Sequence, residues 1–303
     1  MTLIHKLNLN LNNNKFYIKR DDLLPFSFGG NKARKAINFF DDIKKNKCDV
    51  VVTYGSHSSN HCRVVANMAK CENLECIIIS PEENYEETLN SKLVELFGAK
   101  IIKTPIDRVS KTIENVLEEL RKTKKPYFIQ GGGHGNLGTA AYVDAYSEIL
   151  EYEKKNNTFF DYIFHASGTG TTQAGLVVGR ILNNRKKQKI IGISIARNQL
   201  RGKSVILESV NDYFGDSCDY AADVEFIDDY ICGGYGKFNS EIGDTIKEVL
   251  CCDGIPLNST YTGKAFWGMK KYIEKNNIKD SNILFINTGG NPLFFDDLES
   301  LQK

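Results

Sequence analysis

The chain has 303 residues, of which 41% are hydrophobic and 25% are charged, values that are ordinary for a globular protein. The 39 Lys and Arg residues against 38 Asp and Glu residues leave a net charge of +1, so no electrostatic field favours nucleic acid. No apolar run is long enough to cross a bilayer, and residues 1–14 lack the apolar segment of a signal peptide. The eight cysteines form no C-x-x-C pair. We therefore expect a cytoplasmic protein that binds neither nucleic acid nor a membrane.

Short β-branched runs alternate with helical patterns along most of the chain. The predicted strands are residues 49–54, 75–80, 100–103, 127–130, 162–165, 190–195 and 283–286. The predicted helices are residues 59–70, 84–96, 108–122, 137–154 and 172–183, and a further helical pattern starts at Lys32. This alternation predicts the α/β class, with βαβ units and a mostly parallel sheet covered by helices on both faces.

Two glycine-rich stretches, Gly29-Gly30 and Gly131-Gly132-Gly133, bracket four of the predicted strands and three of the predicted helices. A set of that size is large enough to form a small domain inserted into a larger one. We therefore predict a small α/β domain over residues 46–137. The large domain would then contain residues 1–45 and 138–303.

Lys32 follows Gly29-Gly30 at the start of a helical pattern. The positive end of a helix dipole disfavours the charged form of a lysine, so Lys32 is a candidate amine nucleophile for Schiff-base chemistry. A surface lysine after a turn has the same local sequence, and this interpretation stays open on the segment alone.

The segment from Gly55 to His61 follows the predicted strand 49–54, and Ser59 or Asn60 is a good helix N-cap. His57 and His61 are four residues apart, which is a spacing seen in metal pairs on helices. Because no Glu lies between them and no third ligand follows, we predict no metal site.

The segment Ser167 to Gly175 follows the predicted strand 162–165 and contains Gly168-Thr169-Gly170-Thr171-Thr172. Glycine amides and threonine hydroxyls at a helix N-terminus are typical of a phosphate site. The next glycine, Gly175, comes two places too late for a dinucleotide fingerprint, and no Lys-Ser/Thr follows for a Walker loop. The segment predicts a phosphate monoester site, while a glycine-rich turn with a threonine cap explains it equally well. Residues 258–264 and 287–292 are explained locally by caps and turns.

Seven segments together carry a resemblance to one family: residues 19–23, 29–35, 59–63, 167–176, 234–236, 261–265 and 288–290. In that order they resemble the branch of pyridoxal-phosphate enzymes containing D-cysteine desulfhydrase and aminocyclopropane-carboxylate deaminase, within the tryptophan-synthase β fold. The resemblance implies two open, twisted, mostly parallel sheets flanked by helices, with the cofactor between the domains, and a homodimer. It also implies a small amino acid as substrate.

The resemblance implies a role for each cofactor-binding residue. Lys32 would be the Schiff-base lysine, Asn60 would hydrogen-bond the ring hydroxyl oxygen, and Thr288 would be the partner of the pyridine nitrogen. The phosphate would be held by five consecutive residues, Gly168, Thr169, Gly170, Thr171 and Thr172. A threonine does not hold the pyridine nitrogen protonated as a carboxylate does, so the ring would be a weaker electron sink, which favours elimination of a good leaving group.

The resemblance also implies the residues that act on the substrate. Ser59 would lie near the substrate carboxylate, helped by the N–H groups of Asn60 and His61, and Tyr235 and Tyr261 would flank the cofactor and the substrate. The catalytic residues would then be Lys32, Ser59, Tyr235 and Tyr261. The substrate-binding residues would be Ser59, Asn60, His61, Tyr235, Tyr261 and Thr262.

Position 262 distinguishes the two activities of this branch. Where the resemblance implies Tyr-Glu-Gly-Lys for the cyclopropane-opening deaminases, this chain has Tyr261-Thr262-Gly263-Lys264. The threonine resembles the desulfhydrases and predicts α,β-elimination to pyruvate, ammonia and the released β-group. Tyr54, which stands where relatives tend to have a small residue, is expected to narrow the site. The segments Ile231-Cys232-Gly233 and Gly131 to Gly135 also depart from the pattern and put D-cysteine itself in question.

Four alternatives remain at this point. Two keep the scaffold: an aminocyclopropane-carboxylate deaminase, and a β-replacement enzyme or other β-lyase, for example one acting on cysteate. A nicotinamide-dependent oxidoreductase would use the Gly168-Thr169-Gly170 loop, but the glycine spacing counts against it. A cofactor-binding protein without activity would not need both Tyr235 and Tyr261.

Overall fold

The computed structural model describes residues 1–56, 58–82, 87–215 and 218–302, and within them it contains ten β-strands and ten α-helices. The strands are β1 (Ile4–Lys6), β2 (Lys15–Arg20), β3 (Val50–Tyr54), β4 (Glu75–Pro81), β5 (Lys100–Thr104), β6 (Pro126–Ile129), β7 (Tyr162–Ser167), β8 (Lys189–Ser194), β9 (Glu225–Ile227) and β10 (Asn282–Asn287). The helices are α1 (Asn31–Lys45), α2 (Asn60–Cys71), α3 (Leu89–Leu96), α4 (Val109–Arg121), α5 (Asn136–Asn156), α6 (Thr171–Leu182), α7 (Gln199–Phe214), α8 (Ser240–Asp253), α9 (Thr262–Lys275) and α10 (Asn291–Gln302).

The strands form two sheets. One has six strands in the order β1-β2-β10-β7-β8-β9, in which β1 pairs antiparallel with β2 and all other neighbours are parallel. The other has four parallel strands in the order β5-β4-β3-β6. The predicted α/β fold with two mostly parallel sheets flanked by helices is confirmed.

Apolar runs explain why these strands lie inside the molecule. Val50-Val51-Val52 of β3 and Ile77-Ile78-Ile79 of β4 are buried on both faces, as parallel strands covered by helices require. One face of the four-stranded sheet packs against α1 and α2, and the other face packs against α4 through Leu117. Each face of the six-stranded sheet likewise has its own apolar cluster.

The four-stranded sheet lies wholly within residues 50–129. Helix α1 precedes residue 46, yet Phe39 and Phe40 of this helix pack in the same apolar cluster as Val51 and Val65. The helix therefore borders both sheets, since its first turn reaches the end of β10 through a hydrogen bond from Asn31 N to Thr288 O. The division into residues 46–137 and the remainder stays a proposal.

The predicted elements agree with the structure in type and differ at their ends. The helix predicted over residues 84–96 begins at Leu89, because Thr88 and Ser91 form a capping box there; residues 83–86 lie outside the described part of the chain. The strand predicted over residues 162–165 extends to Ser167. Strands β1 and β9, of three residues each, carry too short a pattern to be predicted.

Strands of both sheets end close together, because residues that follow β3 and β6 border the same cavity as residues that follow β7, β8 and β10. Ser167 of β7 lies beside Ser194 of β8, so the loops that follow both strands start at the same edge. Ligands in open α/β sheets bind at such an edge.

Among the described residues, every helix is too short or too polar to cross a membrane.

Candidate active site

A cavity of about 320 Å³ lies between the sheets, at the carboxyl ends of the central strands. This volume is at the small end of the range for ligand cavities. Eleven of the predicted site residues line it, drawn from segments far apart in the chain: Lys32, Ser59, Asn60, His61, Gly168, Thr169, Gly170, Thr172, Tyr235, Tyr261 and Thr288. The other two predicted site residues, Thr171 and Thr262, are buried and do not line the cavity.

Lys32 is the second residue of α1, and its Nζ lies 2.9 Å from the carbonyl oxygen of Gly132, to which it donates. The helix starts close to β10 because Gly30 has a φ of 91° and a Cβ there would lie 2.6 Å from Thr288 O. Burial, together with the charge of Arg197, lowers the pKa of Lys32 from 10.5 to about 8. A lysine with this pKa is a good amine nucleophile near neutral pH.

The loop of residues 168–170 leads from β7 into α6. Gly170, at the N-cap, has a φ of 102°, which a residue with a side chain rarely adopts. The first N–H groups of a helix have no partner within the helix, so those of Thr171 and Thr172 are available to an anion. Asn31 Nδ2 donates to Thr172 Oγ1 at 3.1 Å and joins this helix end to α1.

Lys35 is a site residue that the sequence analysis missed. It is 1% exposed, and its Nζ donates to Thr171 Oγ1 at 2.6 Å, directly behind the N-terminus of α6. Burial and the charge of Lys32 hold its pKa well below the usual value. An anion bound at the helix end would favour the charged form of this amine and would be stabilised by it. The signal in the sequence is the spacing, because residues three apart lie on one face of a helix.

Ser59 is the N-cap of α2, which confirms the predicted cap: its Oγ accepts from His61 N at 3.2 Å and from Cys62 N at 3.3 Å. The imidazole of His61 is buried and shares a hydrogen bond of 2.8 Å with Thr53 Oγ1. Burial and the nearby lysines hold the pKa of His61 well below the usual value, so the ring is neutral. The other histidine of the predicted spacing, His57, lies outside the described residues.

Asn60 is held in one orientation by its amide oxygen. This oxygen accepts from Arg63 Nη1 at 2.6 Å and from Asn90 Nδ2 at 3.0 Å. Arg63 is 1% exposed and is itself anchored by a bond to Ser27 O and by the ring of Phe28. The amide nitrogen of Asn60 is therefore the group left to donate to a ligand oxygen.

Tyr235 and Tyr261 form a pair on the wall of the cavity. Their hydroxyl oxygens lie 2.6 Å apart, and the rings meet edge to face with centroids 5.9 Å apart. Burial, and secondly the neighbouring Tyr235, raise the pKa of Tyr261 well above its usual value. The Tyr261 hydroxyl therefore keeps its proton at neutral pH and is available as a donor.

Thr262 is placed differently from the prediction. Its side chain is fully buried, and its hydroxyl accepts from both Asn258 N and Asn258 Nδ2 at 3.0 Å. Asn258 in turn accepts from Tyr261 N at 2.8 Å. Because Thr262 points away from the cavity, this placement does not support a direct contact with a substrate; the contact with Asn258 gives it an indirect influence on Tyr261.

Arg197 is a second cavity residue that the sequence analysis missed. It follows β8, and its Nη1 is buried without a hydrogen-bond partner among the described residues. Tyr54, the last residue of β3, lines the same cavity, as the expectation that it narrows the site requires. Within the described part of the chain the cavity wall contains Lys32 and Arg197 but no Asp or Glu, so the site favours anionic ligands.

The cavity combines a lysine amine with a glycine-rich helix end and an excess of positive charge at the edge of a parallel sheet. This combination is typical of an enzyme that binds a phosphorylated aldehyde. The chain matches the family described as "Pyridoxal-phosphate dependent enzyme" over residues 2–289, and it belongs to that family. The cofactor predicted by resemblance is confirmed at this level, and the nicotinamide-dependent alternative is set aside.

Relatives within the family narrow the comparison. A D-cysteine desulfhydrase of Salmonella paratyphi A is 31% identical over 293 residues, which cover 93% of this chain and 88% of the relative. A Pyrococcus abyssi protein named "Putative 1-aminocyclopropane-1-carboxylate deaminase" is 34% identical over 286 residues, 92% of this chain and 85% of the relative. A crystal structure described as that of "the ACC deaminase homologue" has a TM-score of 0.85 and 31% identity, and the match covers 99% of this chain and 93% of that one.

The residues of the cavity fit pyridoxal phosphate. Lys32 offers the amine that an aldehyde requires, at a pKa of about 8. The N-terminus of α6, with Lys35 behind it, suits a phosphate dianion. The amide nitrogen of Asn60 suits the ring oxygen, and Thr288, at the end of β10, is 7% exposed and lines the same cavity.

The pH dependence of cofactor uptake tests the state of Lys32. Since burial lowers its pKa to about 8, the amine is charged below that pH and neutral above it. Cofactor-free protein mixed with pyridoxal phosphate is expected to gain the absorbance of the lysine-bound cofactor faster as pH rises, with half of the maximal rate near pH 8. In Arg197→Gln, which lacks a nearby positive charge, the midpoint should move upward. A midpoint near 10.5 in the unmodified protein would contradict the assignment.

Proposed function

We propose that this enzyme catalyses α,β-elimination on a small β-substituted amino acid, with D-cysteine as the first candidate substrate. The products would be pyruvate, ammonia and the released β-group. The observation that carries the proposal is that Lys32, Ser59, Tyr235 and Tyr261 line one cavity. Together they offer an amine base, a helix terminus for the substrate carboxylate and a pair of hydroxyl donors. The relative named D-cysteine desulfhydrase supports the substrate class.

Lys32 would act twice. It would hold the cofactor through Nζ, and after the substrate amine replaces it, the free amine would take the proton from the substrate Cα. Pyridoxal phosphate, when bound, supplies an electron sink for the electrons of that Cα–H bond. Burial keeps enough of the Lys32 amine neutral for this role near pH 7 to 8.

Ser59 and the N-terminus of α2 would bind the substrate carboxylate. A helix N-terminus attracts an anion through its free N–H groups and its dipole. Ser59 Oγ now accepts from His61 N and Cys62 N. A carboxylate that binds here therefore has two routes: it takes the Asn60 N–H, or it displaces the serine oxygen from the first turn. Either contact orients the Cα–H bond relative to Lys32.

The Tyr235–Tyr261 pair would donate a hydrogen bond to the departing β-group. The two hydroxyls share one hydrogen bond, and burial holds the pKa of Tyr261 well above its usual value, so the phenol stays protonated. For cysteine, the C–S bond breaks and the sulfur leaves with the bonding electrons as hydrosulfide, stabilised by the phenol O–H. The enamine that remains takes a proton at Cβ, and water then replaces the nitrogen, which gives pyruvate and ammonia.

Thr288 and Thr262 support elimination over cyclopropane opening. A hydroxyl at Thr288 would not keep the pyridine nitrogen protonated, and a weaker electron sink favours the loss of a good leaving group. Thr262 occupies the position at which the deaminase motif has glutamate. It is fully buried, and its hydroxyl accepts from Asn258 N. A carboxylate at this position would have to be buried next to Tyr261.

Product analysis tests the proposed reaction. The yellow holoenzyme with D-cysteine is expected to release pyruvate and sulfide in equal amounts. Addition of a second thiol should leave the pyruvate yield unchanged; a fall in pyruvate with formation of a thioether amino acid would indicate β-replacement. Aminocyclopropane-carboxylate would give a four-carbon 2-oxo acid and cysteate would give sulfite, so turnover of either in preference to D-cysteine would overturn the substrate assignment.

We further propose that the enzyme is a cytoplasmic homodimer. Cys62 and Cys76 are buried, Cys71, Cys251 and Cys252 are exposed, and none of these five thiols forms a disulfide, which suits a reducing compartment. Phe28, Leu96 and Phe295 are 50%, 77% and 54% exposed and border one apolar patch, which supports self-association. Light scattering on the purified holoenzyme measures the mass directly.

A further inference from the structure

Lys264 is a buried cation without a carboxylate partner. It lies in the first turn of α9 and is fully buried, and its Nζ donates to three backbone carbonyl oxygens: Gly234 at 2.7 Å, Ile231 at 2.9 Å and Ile195 at 3.2 Å. An ammonium group has three donors, and all three are used. Buried charges in proteins are normally paired, and in the described part of the chain no acidic group bonds this one.

The three carbonyl oxygens belong to two segments of the cavity wall. Ile195 follows β8 and lines the cavity next to Arg197. Ile231 and Gly234 belong to the loop of residues 230–236, which carries Tyr235. The lysine itself lies three residues after Tyr261, whose carbonyl oxygen accepts from Ala265 N at 2.9 Å. One side chain therefore connects the backbones on which both tyrosines of the pair depend.

The Tyr235 loop needs such a connection. Three consecutive residues have positive φ: Cys232 at 49°, Gly233 at 79° and Gly234 at 120°. For a residue with a side chain, such as Cys232, this conformation is strained and persists only when its surroundings hold it. Carbonyl oxygens that converge on one point also repel each other unless a cation lies between them. Burial lowers the pKa of Lys264 to about 8, so the ammonium is the main form at neutral pH.

We propose that Lys264 is a positioning residue that gathers three carbonyl oxygens around its ammonium group and thereby holds the Tyr235 loop so that the Tyr235 hydroxyl meets Tyr261. The inference rests on the proposed function for the role of the tyrosine pair. The position of the loop, however, is measurable without any substrate.

Lys264→Met is the main test, because methionine has nearly the same length and lacks both the charge and the N–H donors. The variant is expected to keep the cofactor absorbance, since Lys32, Asn60 and the α6 N-terminus are unchanged. Its kcat on the substrate should fall about 100-fold, the size of effect expected when a catalytic group is displaced by about 1 Å, with little change in KM. Lys271→Met is the matched control, because this partly exposed lysine of the same helix pairs with Glu241 of α8 and not with the Tyr235 loop.

Cys232 reports on the loop itself. In Lys264→Met, its labelling by a maleimide, followed by peptide mass spectrometry, should be at least tenfold faster, while the exposed Cys71 and Cys251 serve as internal references. This readout needs no turnover, so it distinguishes failure of the inference from failure of the proposed reaction. Unchanged Cys232 labelling together with an unchanged kcat would overturn the inference, even if the variant were less stable.

Chemical rescue tests the carbonyl cage. Lys264→Ala removes the atoms equivalent to propylammonium, and millimolar propylammonium is expected to slow Cys232 labelling and raise the melting temperature of this variant without changing the native protein. Tetramethylammonium has the same charge but no N–H, so it should have no effect. Rescue by both ions, or by neither, would contradict the proposed cage. If Lys264→Met does not fold, Lys264→Ala is purified with propylammonium, and removal of the amine must accelerate Cys232 labelling before helical content falls.

Discussion

Lys32→Ala is expected to abolish turnover, with a loss in kcat of roughly 10⁴-fold or more, the range seen when a catalytic base or nucleophile is removed. The variant removes both the covalent attachment of the cofactor and the base for the Cα proton. Its fold should persist, because among the described residues the side chain bonds only Gly132 O, and it lines the cavity rather than the apolar core. The measurements are the visible spectrum, which should lose the band of the lysine-bound cofactor, and the rate of pyruvate release.

Lys45→Ala is the control for this variant, because Lys45 is exposed at the other end of the same helix. It should keep both the spectrum and the rate. Turnover that survives in Lys32→Ala within tenfold of the native rate would mean that another amine, such as that of Lys35, carries the cofactor. If the native protein stayed colourless after addition of pyridoxal phosphate, the assignment of the cavity as a cofactor site would be wrong.

Asp21→Ala is expected to destabilise the fold by about 3–5 kcal/mol, the cost of breaking a buried ion pair by removing one partner. Asp21 is fully buried at the end of β2, and its carboxylate pairs with Lys19 at 3.2 Å and with Arg34 at 2.9 Å. It also accepts from Tyr142 Oη at 2.8 Å. Without it, the partly exposed Glu148 alone balances two buried cations. Urea denaturation measures the free energy of unfolding.

The pH dependence of stability gives this prediction a second readout. Burial alone would raise the pKa of Asp21, but the charges of Lys19 and Arg34 hold it down at about 2. A carboxylate with a lower pKa in the folded state than the usual value near 3.9 adds stability above pH 4 that is lost as pH falls toward 2. The native protein should therefore lose stability over this window more steeply than Asp21→Ala.

The exposed pair of Glu119 and Lys122, at the C-terminal end of α4, provides the control. Glu119→Gln should change the free energy of unfolding by less than about 1 kcal/mol, as is usual for surface pairs. An effect of Asp21→Ala no larger than that of Glu119→Gln would show that the cluster does not stabilise the fold. The cluster matters to the site because Arg34 lies on α1, two residues after Lys32.

Much of the fold was predictable because its signals are local. The valine run of β3 and the isoleucine run of β4 indicate buried parallel strands, and Ser59 caps α2 as its residue type and position predict. Helix α3 begins at Leu89 because Thr88 and Ser91 form a capping box there. Strand order was not predictable from the pattern, since β10 lies between β2 and β7 although it comes last in the chain.

The site divides in the same way. Lys32 and the Gly168-Thr169-Gly170 loop follow a glycine turn or a strand and are visible as motifs, whereas Lys35, Arg197 and Lys264 resemble ordinary surface cations in the sequence. Their importance comes from burial, and burial depends on segments far away. Lys264 illustrates this, since its carbonyl partners are 30 to 69 residues distant in the chain.

The sequence by itself determined the class of fold, because periodicity, caps and glycine turns act over a few residues, and the resemblance of its seven segments indicated the family and the parts of the chain that form the site. Only the tertiary structure decided which side chains face the cavity. Thr262 turns away toward Asn258, and Arg197 turns in with an Nη1 that no described residue hydrogen-bonds. The physical reason is that the orientation of a side chain follows from the packing and hydrogen-bond partners that surround it, and these partners are supplied by strands and helices that meet only when the whole chain is folded.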